Sequence, residues 1–425
     1  MNNMFNVKIS AADVSFEERN NQLYHNLDAD YACFAIWKNA LPHLDKIREH
    51  LSSRFEILFE TKVIWSHEHL NDNIARIYEV PIYSNIPKKD RKCGHVLKMG
   101  SNSFVLLILK DTSPSYTYAV SVSGKVEITN MNFVKSKYTF RDWAKQENGT
   151  NYAVHSTNNI FEFLYQAPLI LGCELLQDLL EGKKIKIDVL EKDLEGANGW
   201  KNWKELFDVL KYSSNYLVLR NFEELPLKNS DADIDFLTDN YQRMASIMAV
   251  EQSNNKPYKG VIKVADKVVP VDIRFVGDKY YDATWQKDML IRKSKNNNIY
   301  IPRKDDYFFS LLYHCIIQKL SIKPKYKQVL SLLAEDLGFD WFKNMEFSET
   351  KLSKVIGGYY SANNYYYEPP LDNFVLKNKK TLLFLPTKYH LAPKETLQRK
   401  IKRNLIKALP KNVISILQKT LRRIK

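Results

Sequence analysis

The chain contains the stretch Asn229-Ser230-Asp231-Ala232-Asp233-Ile234-Asp235-Phe236-Leu237, in which two aspartates stand two residues apart where the sequence becomes apolar. Alternate side chains of a β-strand leave the same face, so we expect Asp233 and Asp235 to project together. Neighbouring carboxylates repel each other unless a cation lies between them, and Mg²⁺ prefers such oxygen ligands. The stretch therefore predicts a strand that carries a divalent-metal site.

A third acid lies in a similar setting, in the segment Val268-Val269-Pro270-Val271-Asp272-Ile273-Arg274-Phe275. Metal ions held by three such carboxylates are common machinery for in-line displacement at phosphorus. Two arginines are candidates for offsetting phosphate charge. Arg220 can offer its guanidinium as a fork, and Arg274 should share a face with Asp272, although a salt bridge to the carboxylates is the alternative for Arg274. The pattern points towards phosphoryl or nucleotidyl transfer.

Length and composition favour a folded protein of several domains. A chain of 425 residues is too long for one compact core, and 44% of its residues are hydrophobic. The 4 cysteines are scattered without a CxxC pair, which favours a reducing compartment. Residues 1–18 lack the apolar core of a signal peptide, and no apolar run approaches the roughly 20 residues that span a bilayer. We therefore expect a cytoplasmic protein.

The positive charge is concentrated at the C-terminal end. Residues 394–425 contain eleven Lys or Arg and one acid, which leaves +10 of the total of +14 in this segment. We therefore do not expect the folded body to bind nucleic acid, because a basic footprint for nucleic acid would spread over a folded face. Leu397, Ile401 and Leu405 recur at helical spacing among the basic residues, which indicates an amphipathic helix on an anionic membrane surface. A helix docked on its own domain and a nucleic-acid-binding arm are the alternatives.

Periodicity and turn signals divide the chain into four parts. The predicted parts are an α+β domain at 1–185, a second α+β domain at 203–300, a mostly helical region at 301–390 and the basic tail at 391–425. A charged, glycine-containing linker is predicted at 183–202. The main predicted elements are strands at Cys33–Trp37, Phe55–Trp65, Phe104–Leu109, Tyr216–Arg220, Gly260–Val264 and Val268–Val276, and helices at Leu41–Leu51, Trp203–Tyr212 and Asp305–Lys319. A helix-rich segment that contains Gly172 is predicted at Ile160–Leu180.

The order of helix, strand, turn, paired acids and third acid over residues 203–319 resembles the nucleotidyltransferase superfold. Within it, the resemblance is to the branch that transfers phosphocholine or ribitol phosphate from a CDP-activated donor to a glycan. This resemblance implies a small mixed sheet, with Mg²⁺ or Mn²⁺ held by the catalytic acids Asp233, Asp235 and Asp272. It also implies that Arg220 and Arg274 contact the substrate. The chain departs from the family at the turn before the acids, where Arg220 stands in place of a Gly-Ser or Gly-Gly pair.

The first domain resembles nucleoside diphosphate kinases. Phe34-Ala35-Ile36-Trp37-Lys38 precedes an amphipathic helix, and Tyr138-Thr139-Phe140-Arg141 precedes Asn151-Tyr152-Ala153-Val154-His155-Ser156-Thr157-Asn158. The resemblance implies a ferredoxin-like domain in which Lys38 and Arg141 contact phosphates and His155 is the phosphorylatable base. Asn39, Ser156 and Asn158 depart from the kinase pattern. A domain that only binds nucleotide or phosphate, and a packed His155 without a ligand, are the alternatives.

Together these features predict a metal-dependent transferase that moves a phospho-substituent from a CDP-type donor onto a bacterial cell-surface polysaccharide or its lipid-linked precursor. It would work at the inner face of the membrane. Two alternatives stay open: addition of a nucleoside monophosphate to RNA, protein or a small molecule, and a non-catalytic nucleotide-binding scaffold. A group of tyrosines at 359–360 and 365–367 is consistent either with sugar stacking or with packing against the core.

Overall fold

The computed structural model describes residues 29–94, 99–120, 126–230 and 232–388. Asp231 and the tail predicted at 391–425 lie outside these ranges. Within them the chain is a mixed α+β protein, as predicted from the sequence. None of the helices in the described ranges is long and apolar enough to cross a membrane.

The first half of the chain builds a five-stranded sheet and the helices around it. In chain order the elements are β1 (Asp30–Trp37), α1 (Leu44–Ser52), β2 (Glu56–Ile64), α2 (Leu70–Ile77), β3 (Ile82–Tyr83), β4 (Ser103–Asp111), β5 (Tyr116–Val120), β6 (Val126–Asn130), α3 (Met131–Asn148), β7 (Val154–Ser156), α4 (Ile160–Leu171), α5 (Cys173–Leu180) and β8 (Val189–Glu191). The strand order is β7-β1-β4-β2-β8, in which β8 pairs parallel to β2 and the other neighbours pair antiparallel.

Both faces of β1 are buried, which explains its nearly continuous apolar sequence. One set of alternate residues packs in a cluster with α1 and α3, namely Ala32, Phe34 and Ile36. The opposite set packs towards α4 and the second half of the chain, namely Tyr31, Cys33, Ala35 and Trp37. The alternation of side chains along the strand therefore divides the first half into two separate apolar layers.

One predicted segment agrees with the structure and another differs from it. The helix-rich segment predicted at Ile160–Leu180 consists of two helices, because Gly172, with a positive φ of 84°, ends α4 before α5 begins. The segment predicted as a linker at 183–202 contains β8, and its Trp200 is buried. Its charge and glycine content are typical of linkers. The strand pairing that attaches it to β2 involves residues more than a hundred positions away.

The second half builds a six-stranded sheet followed by helices. Its elements are α6 (Trp203–Ser213), β9 (Tyr216–Val218), β10 (Ile234–Thr238), α7 (Tyr241–Ile247), β11 (Glu251–Gln252), β12 (Lys259–Val264), β13 (Lys267–Phe275), α8 (Ala283–Ile291), β14 (Ser294–Asn296), β15 (Ile299–Ile301), α9 (Lys304–Ile317), α10 (Pro324–Asp336), α11 (Asp340–Lys343), α12 (Glu349–Ala362) and α13 (Lys379–Leu382). The strand order is β3-β11-β12-β13-β10-β9, with β10 parallel to β13 and antiparallel to β9.

The two halves share a sheet and a core. β3 belongs to the first half in sequence but forms the edge of the second sheet by pairing parallel to β11. The buried guanidinium of Arg76 on α2 donates to the carbonyl oxygens of Ser246 and Ile247 at the end of α7, at 2.7 and 2.8 Å. One apolar cluster also runs through both halves. The position of the second sheet is therefore set partly by the first half.

The tyrosines of the C-terminal region pack within the protein. The ring of Tyr359 stacks on Phe309 with centroids 3.7 Å apart, and Tyr360 and Tyr365 are buried. The ring of Tyr365 also stacks on Trp285 at 5.8 Å. Of the two sequence-based alternatives, packing against the core therefore describes these three tyrosines, and none of them is an open sugar platform.

Two buried aspartates face each other across β1 and β4. Asp30 and Asp111 are paired in register, and the side-chain amide of Asn130 donates to both, at 3.2 and 3.0 Å. Burial, reinforced by the charge of Asp111, raises the pKa of Asp30 to about 6, although hydrogen bonds such as that from Tyr116 oppose it. Folding therefore favours the protonated form of Asp30.

We expect Asp30→Asn to change how stability depends on pH. The stabilising contribution of protonated Asp30 is complete below pH 3.8 and is lost as the pH rises through about 6. Asparagine does not titrate, so the unfolding free energy of the variant, relative to that of the native chain, should rise by about 2 kcal/mol between pH 4 and pH 7. Urea denaturation at both values measures this. The exposed Asp266→Asn is the control, and an unchanged difference would contradict the prediction.

Candidate active site

The candidate site lies where β10 and β13 run side by side. Their parallel register pairs Asp235 directly with Asp272, so both side chains leave the same face of the sheet. β12 lies on the other side of β13 and pairs Lys259 with Asp272. A row of charged residues therefore crosses three neighbouring strands at one level, although each strand is otherwise apolar near this point.

Asp235 forms a buried ion pair with Arg220. The Arg220 Nη2 lies 2.8 Å from the Asp235 Oδ1, and both side chains are buried. Arg220 follows β9, whose antiparallel pairing to β10 brings the turn beside the acid. Burial, together with the charges of Asp272 and Asp233, raises the pKa of Asp235 to about 6, although Arg220 opposes the shift. Asp233 and Asp272 therefore both lie close enough to Asp235 to act on its charge.

Asp272 belongs to a larger network. The Arg274 Nη2 donates to the Asp272 Oδ2 at 2.7 Å and to the Asp372 Oδ2 at 3.1 Å. The Lys259 Nζ also lies 2.9 Å from the Asp272 Oδ2, and the Arg274 guanidinium lies over the ring of Tyr280 at 4.3 Å. The alternative role for Arg274, a salt bridge to the carboxylate, is thus present in the structure.

One oxygen of this network has no partner. The Asp272 Oδ1 is buried and has no hydrogen-bond partner within the part of the chain that the structure describes. Burying such an acceptor without a donor is costly, so this oxygen has free capacity to accept a hydrogen bond or a cation. A hard oxygen beside a second carboxylate is chemically suited to Mg²⁺ or Mn²⁺.

Asp233 completes the predicted set less directly. It precedes β10 and is exposed, whereas Asp235 within the strand is buried. No group of three or more His, Cys, Asp or Glu side chains among the described residues is arranged to hold a metal ion. The donor types and the open Asp272 oxygen thus fit a cation, but the acids are engaged by Arg220, Arg274 and Lys259 rather than converging on one point.

Positive charge continues from Arg220 towards the end of α9. Burial, with the charges of Arg220, Lys319 and Lys323, lowers the pKa of His314 well below its usual value. The His314 Nδ1 contacts the Tyr280 hydroxyl at 3.4 Å, and its ring lies edge-on to Tyr326. His314 is therefore a packed side chain beneath a basic surface, and Lys319 and Lys323 are the exposed charges beside it.

The phosphate-binding residues predicted for the first half lie in different environments. His155 on β7 contacts the Gln166 oxygen through Nε2 at 2.8 Å and borders an apolar cavity of about 20 Å³ that Trp37 and Trp65 also line. Arg141 on α3 donates from Nε to the Val154 carbonyl at 2.9 Å. Lys38 is exposed after β1. The cavity has room for about one water molecule, so this cavity is too small for a nucleotide.

Sequence reasoning missed two residues of the candidate site. Lys259 could have been found from the hairpin at Ala265 and Asp266, because a two-residue turn there places residue 259 opposite residue 272. The signal is weak, since alanine and aspartate are not the usual residues of such a turn. Asp372 had no signal at all, because 98 residues separate it from Arg274.

No family model matches the chain, and comparisons with curated proteins and with solved structures find no significant similarity. The candidate site is therefore judged from its own geometry and charges. The resemblances to nucleotidyltransferases and to nucleoside diphosphate kinases stay predictions.

Proposed function

We propose that the chain is a metal-dependent transferase that acts at phosphorus on a nucleotide-activated substrate bound beside β10 and β13. The observation that carries this proposal is the register of Asp235 with Asp272 on parallel strands, with the buried Asp272 Oδ1 left open. The β9-β10-β13 order and the helix α6 before it support a nucleotidyltransferase-like fold for this half. In the first half, the antiparallel order β7-β1-β4-β2 supports a ferredoxin-like domain.

The acidic side chains of the site suit the metal ion of a metal–nucleotide substrate, and the basic side chains suit its phosphates. Asp233, Asp235 and Asp272 would hold Mg²⁺ or Mn²⁺, which when bound stabilises negative charge on the reacting phosphate. Arg220 and Lys259 already face carboxylates of this set, at 2.8 and 2.9 Å. A diphosphate offers the same kind of oxygen, so these cations can exchange a carboxylate for a phosphate without leaving the site.

Asp272 is also the best-placed group to accept a proton. Its Oδ1 is buried but has no hydrogen-bond partner among the described residues, and the cations Lys259 and Arg274 pair with its other oxygen at 2.9 and 2.7 Å. An acceptor hydroxyl that donates to Oδ1 would be oriented towards the phosphorus, which is the task of a general base. The remaining parts of the proposal follow the sequence: a CDP-type donor, and a glycan or lipid-linked glycan as acceptor.

A second candidate is a scaffold that binds nucleotide without catalysis. One observation favours it: Asp235 and Asp272 are both ion-paired within the chain, so the site is already charge-compensated. Buried ion pairs of this kind are also found as structural elements. Under this alternative, nucleotide binding would not require a divalent ion.

The proposal is tested by turnover. The full-length protein is incubated with Mg²⁺ and either nucleoside triphosphates or CDP-linked donors, with and without glycan acceptor, and the released nucleotide is identified. We expect release of CMP from a CDP-linked donor that stops when EDTA is added. Release of diphosphate from a triphosphate would instead support nucleotidyl addition. Metal-independent nucleotide binding without any product would favour the scaffold and would refute the transferase.

A further inference from the structure

Two lysine-rich segments lie together at the end of α9. Residues 319–327 contain four lysines and no acid, and residues 373–388 contain another four lysines and no acid. The backbone N–H of Asn378 donates to the Ile317 carbonyl at 2.8 Å, so α13 is held at the point from which the first segment continues. The two segments therefore form one surface, which we call the basic–apolar surface.

Large apolar side chains stand among these lysines. Leu320 is 74% exposed, Phe374 is 65% exposed and Leu383 is 85% exposed. Scattered exposed leucines are normal, but several large apolar groups on one surface mark an interaction site. Two acids border the surface: Glu349 accepts a hydrogen bond from Asn378, and Glu368 lies 3.5 Å from the Lys388 Nζ. The combination is therefore apolar side chains surrounded mainly by positive charge.

This combination matches an anionic lipid surface. Apolar side chains gain by entering the boundary between headgroups and acyl chains, while lysines approach the anionic headgroups. A nucleic-acid groove would use the lysines but would leave Leu320, Phe374 and Leu383 in contact with a polar backbone. The described chain also ends at Lys388 on this surface, and the residues after it carry the basic pattern already noted at 394–425.

We propose that the basic–apolar surface docks on an anionic membrane, with Leu320, Phe374 and Leu383 entering the headgroup region. The surface borders the candidate site, since Asp372, two residues before Phe374, is ion-paired with Arg274 at 3.1 Å. Docking would therefore hold the carboxylates next to the membrane. That the acceptor is attached to a lipid rests on the proposed function, whereas the docking does not.

The test separates this surface from the tail. An environment-sensitive nitrobenzoxadiazole probe is attached to Leu383→Cys in the full-length chain, in a Cys173→Ser background because the other native cysteines are buried. Vesicles with phosphatidylglycerol should brighten and blue-shift the probe, and phosphatidylcholine vesicles should not. The same probe at Val268→Cys is the matched control, because Val268 is 67% exposed and lies on β13 next to Lys267 and opposite Lys263. That control should not respond.

A second measurement uses binding rather than fluorescence. The triple variant Leu320→Ser, Phe374→Ser and Leu383→Ser should weaken flotation with phosphatidylglycerol vesicles by at least about 10-fold, while Val268→Ser should not. If the chain floats but the probe at position 383 does not respond, the tail alone binds and the proposal is wrong. A blue-shifted probe in the absence of vesicles would show that another part of the chain covers this surface, and would overturn the proposal. A response of the probe to RNA instead of vesicles would overturn it as well. Successful docking without any transferase activity would leave the proposal standing and refute only the proposed function.

Discussion

Replacing Asp233 by asparagine should abolish most transfer while leaving the fold intact. The residue is exposed and precedes β10, so the unfolding free energy should stay within about 0.5 kcal/mol of the native value. Loss of the proposed metal ligand should reduce turnover by at least about 100-fold, because even the groups that only orient metal ligands contribute 10- to 100-fold. The comparison of stability with activity separates a functional acid from a structural one.

The measurement pairs release of nucleotide from the active donor with urea denaturation of the same preparation. Asp266→Asn is the matched control, since it is an exposed aspartate on the hairpin that joins β12 to β13. It should leave both quantities unchanged. Full activity of Asp233→Asn would remove this residue from the metal set and would leave Asp235 and Asp272 as a pair. Raising the Mg²⁺ concentration should partly restore the variant if the loss is one of metal affinity.

Replacing Arg274 by methionine should, unlike Asp233→Asn, cause a large loss of stability. Arg274 is buried, and its Nη2 joins the buried carboxylates of Asp272 and Asp372 at 2.7 and 3.1 Å. Methionine fills much of the volume but leaves Asp372 without its cation. Removing one partner of such a buried pair typically costs about 3–5 kcal/mol, because an uncompensated charge stays inside.

Urea denaturation measures this loss, and a double variant identifies its origin. Arg274→Met combined with Asp372→Leu should be more stable than Arg274→Met alone, because the orphaned charge is then also removed. Arg303→Met is the control, since Arg303 and its partner Asp305 form an exposed pair whose removal should cost less than about 1 kcal/mol. A loss below 1 kcal/mol for Arg274→Met would show that the network does not hold the loop at Asp372 in place.

Local sequence patterns located most of the second half correctly. The predicted strand at Val268–Val276 is β13 at Lys267–Phe275, and the predicted helix at Trp203–Tyr212 is α6 at Trp203–Ser213. These elements have clear apolar periodicity and clear ends, such as the Asn202 side chain that accepts from the Glu205 N–H at the start of α6. The candidate acids could be predicted for the same reason, since a carboxylate within an apolar strand is conspicuous.

Contacts between distant residues could not be predicted. β3 has two residues, and nothing in Ile82–Tyr83 shows that it pairs with β11 in the other half of the chain. Trp200 and β8 looked like a linker because their strand partners lie far away in sequence. The sequence around His155 resembles the kinase stretch, but the contact of its ring with Gln166 on α4 could not be predicted from that resemblance.

The chain's own pattern of apolar and charged residues therefore establishes where its strands and helices run and which acids interrupt them. That information is local, since periods of 2 and 3.6 residues arise from backbone geometry within a single element. The pairing of Asp235 with Asp272, the cations that neutralise them and the oxygen that stays open were decided by packing between β10, β13, β12 and the loop at Asp372. Burial turns a charged side chain into either a ligand or an ion-pair partner, and burial is a property of the folded chain alone.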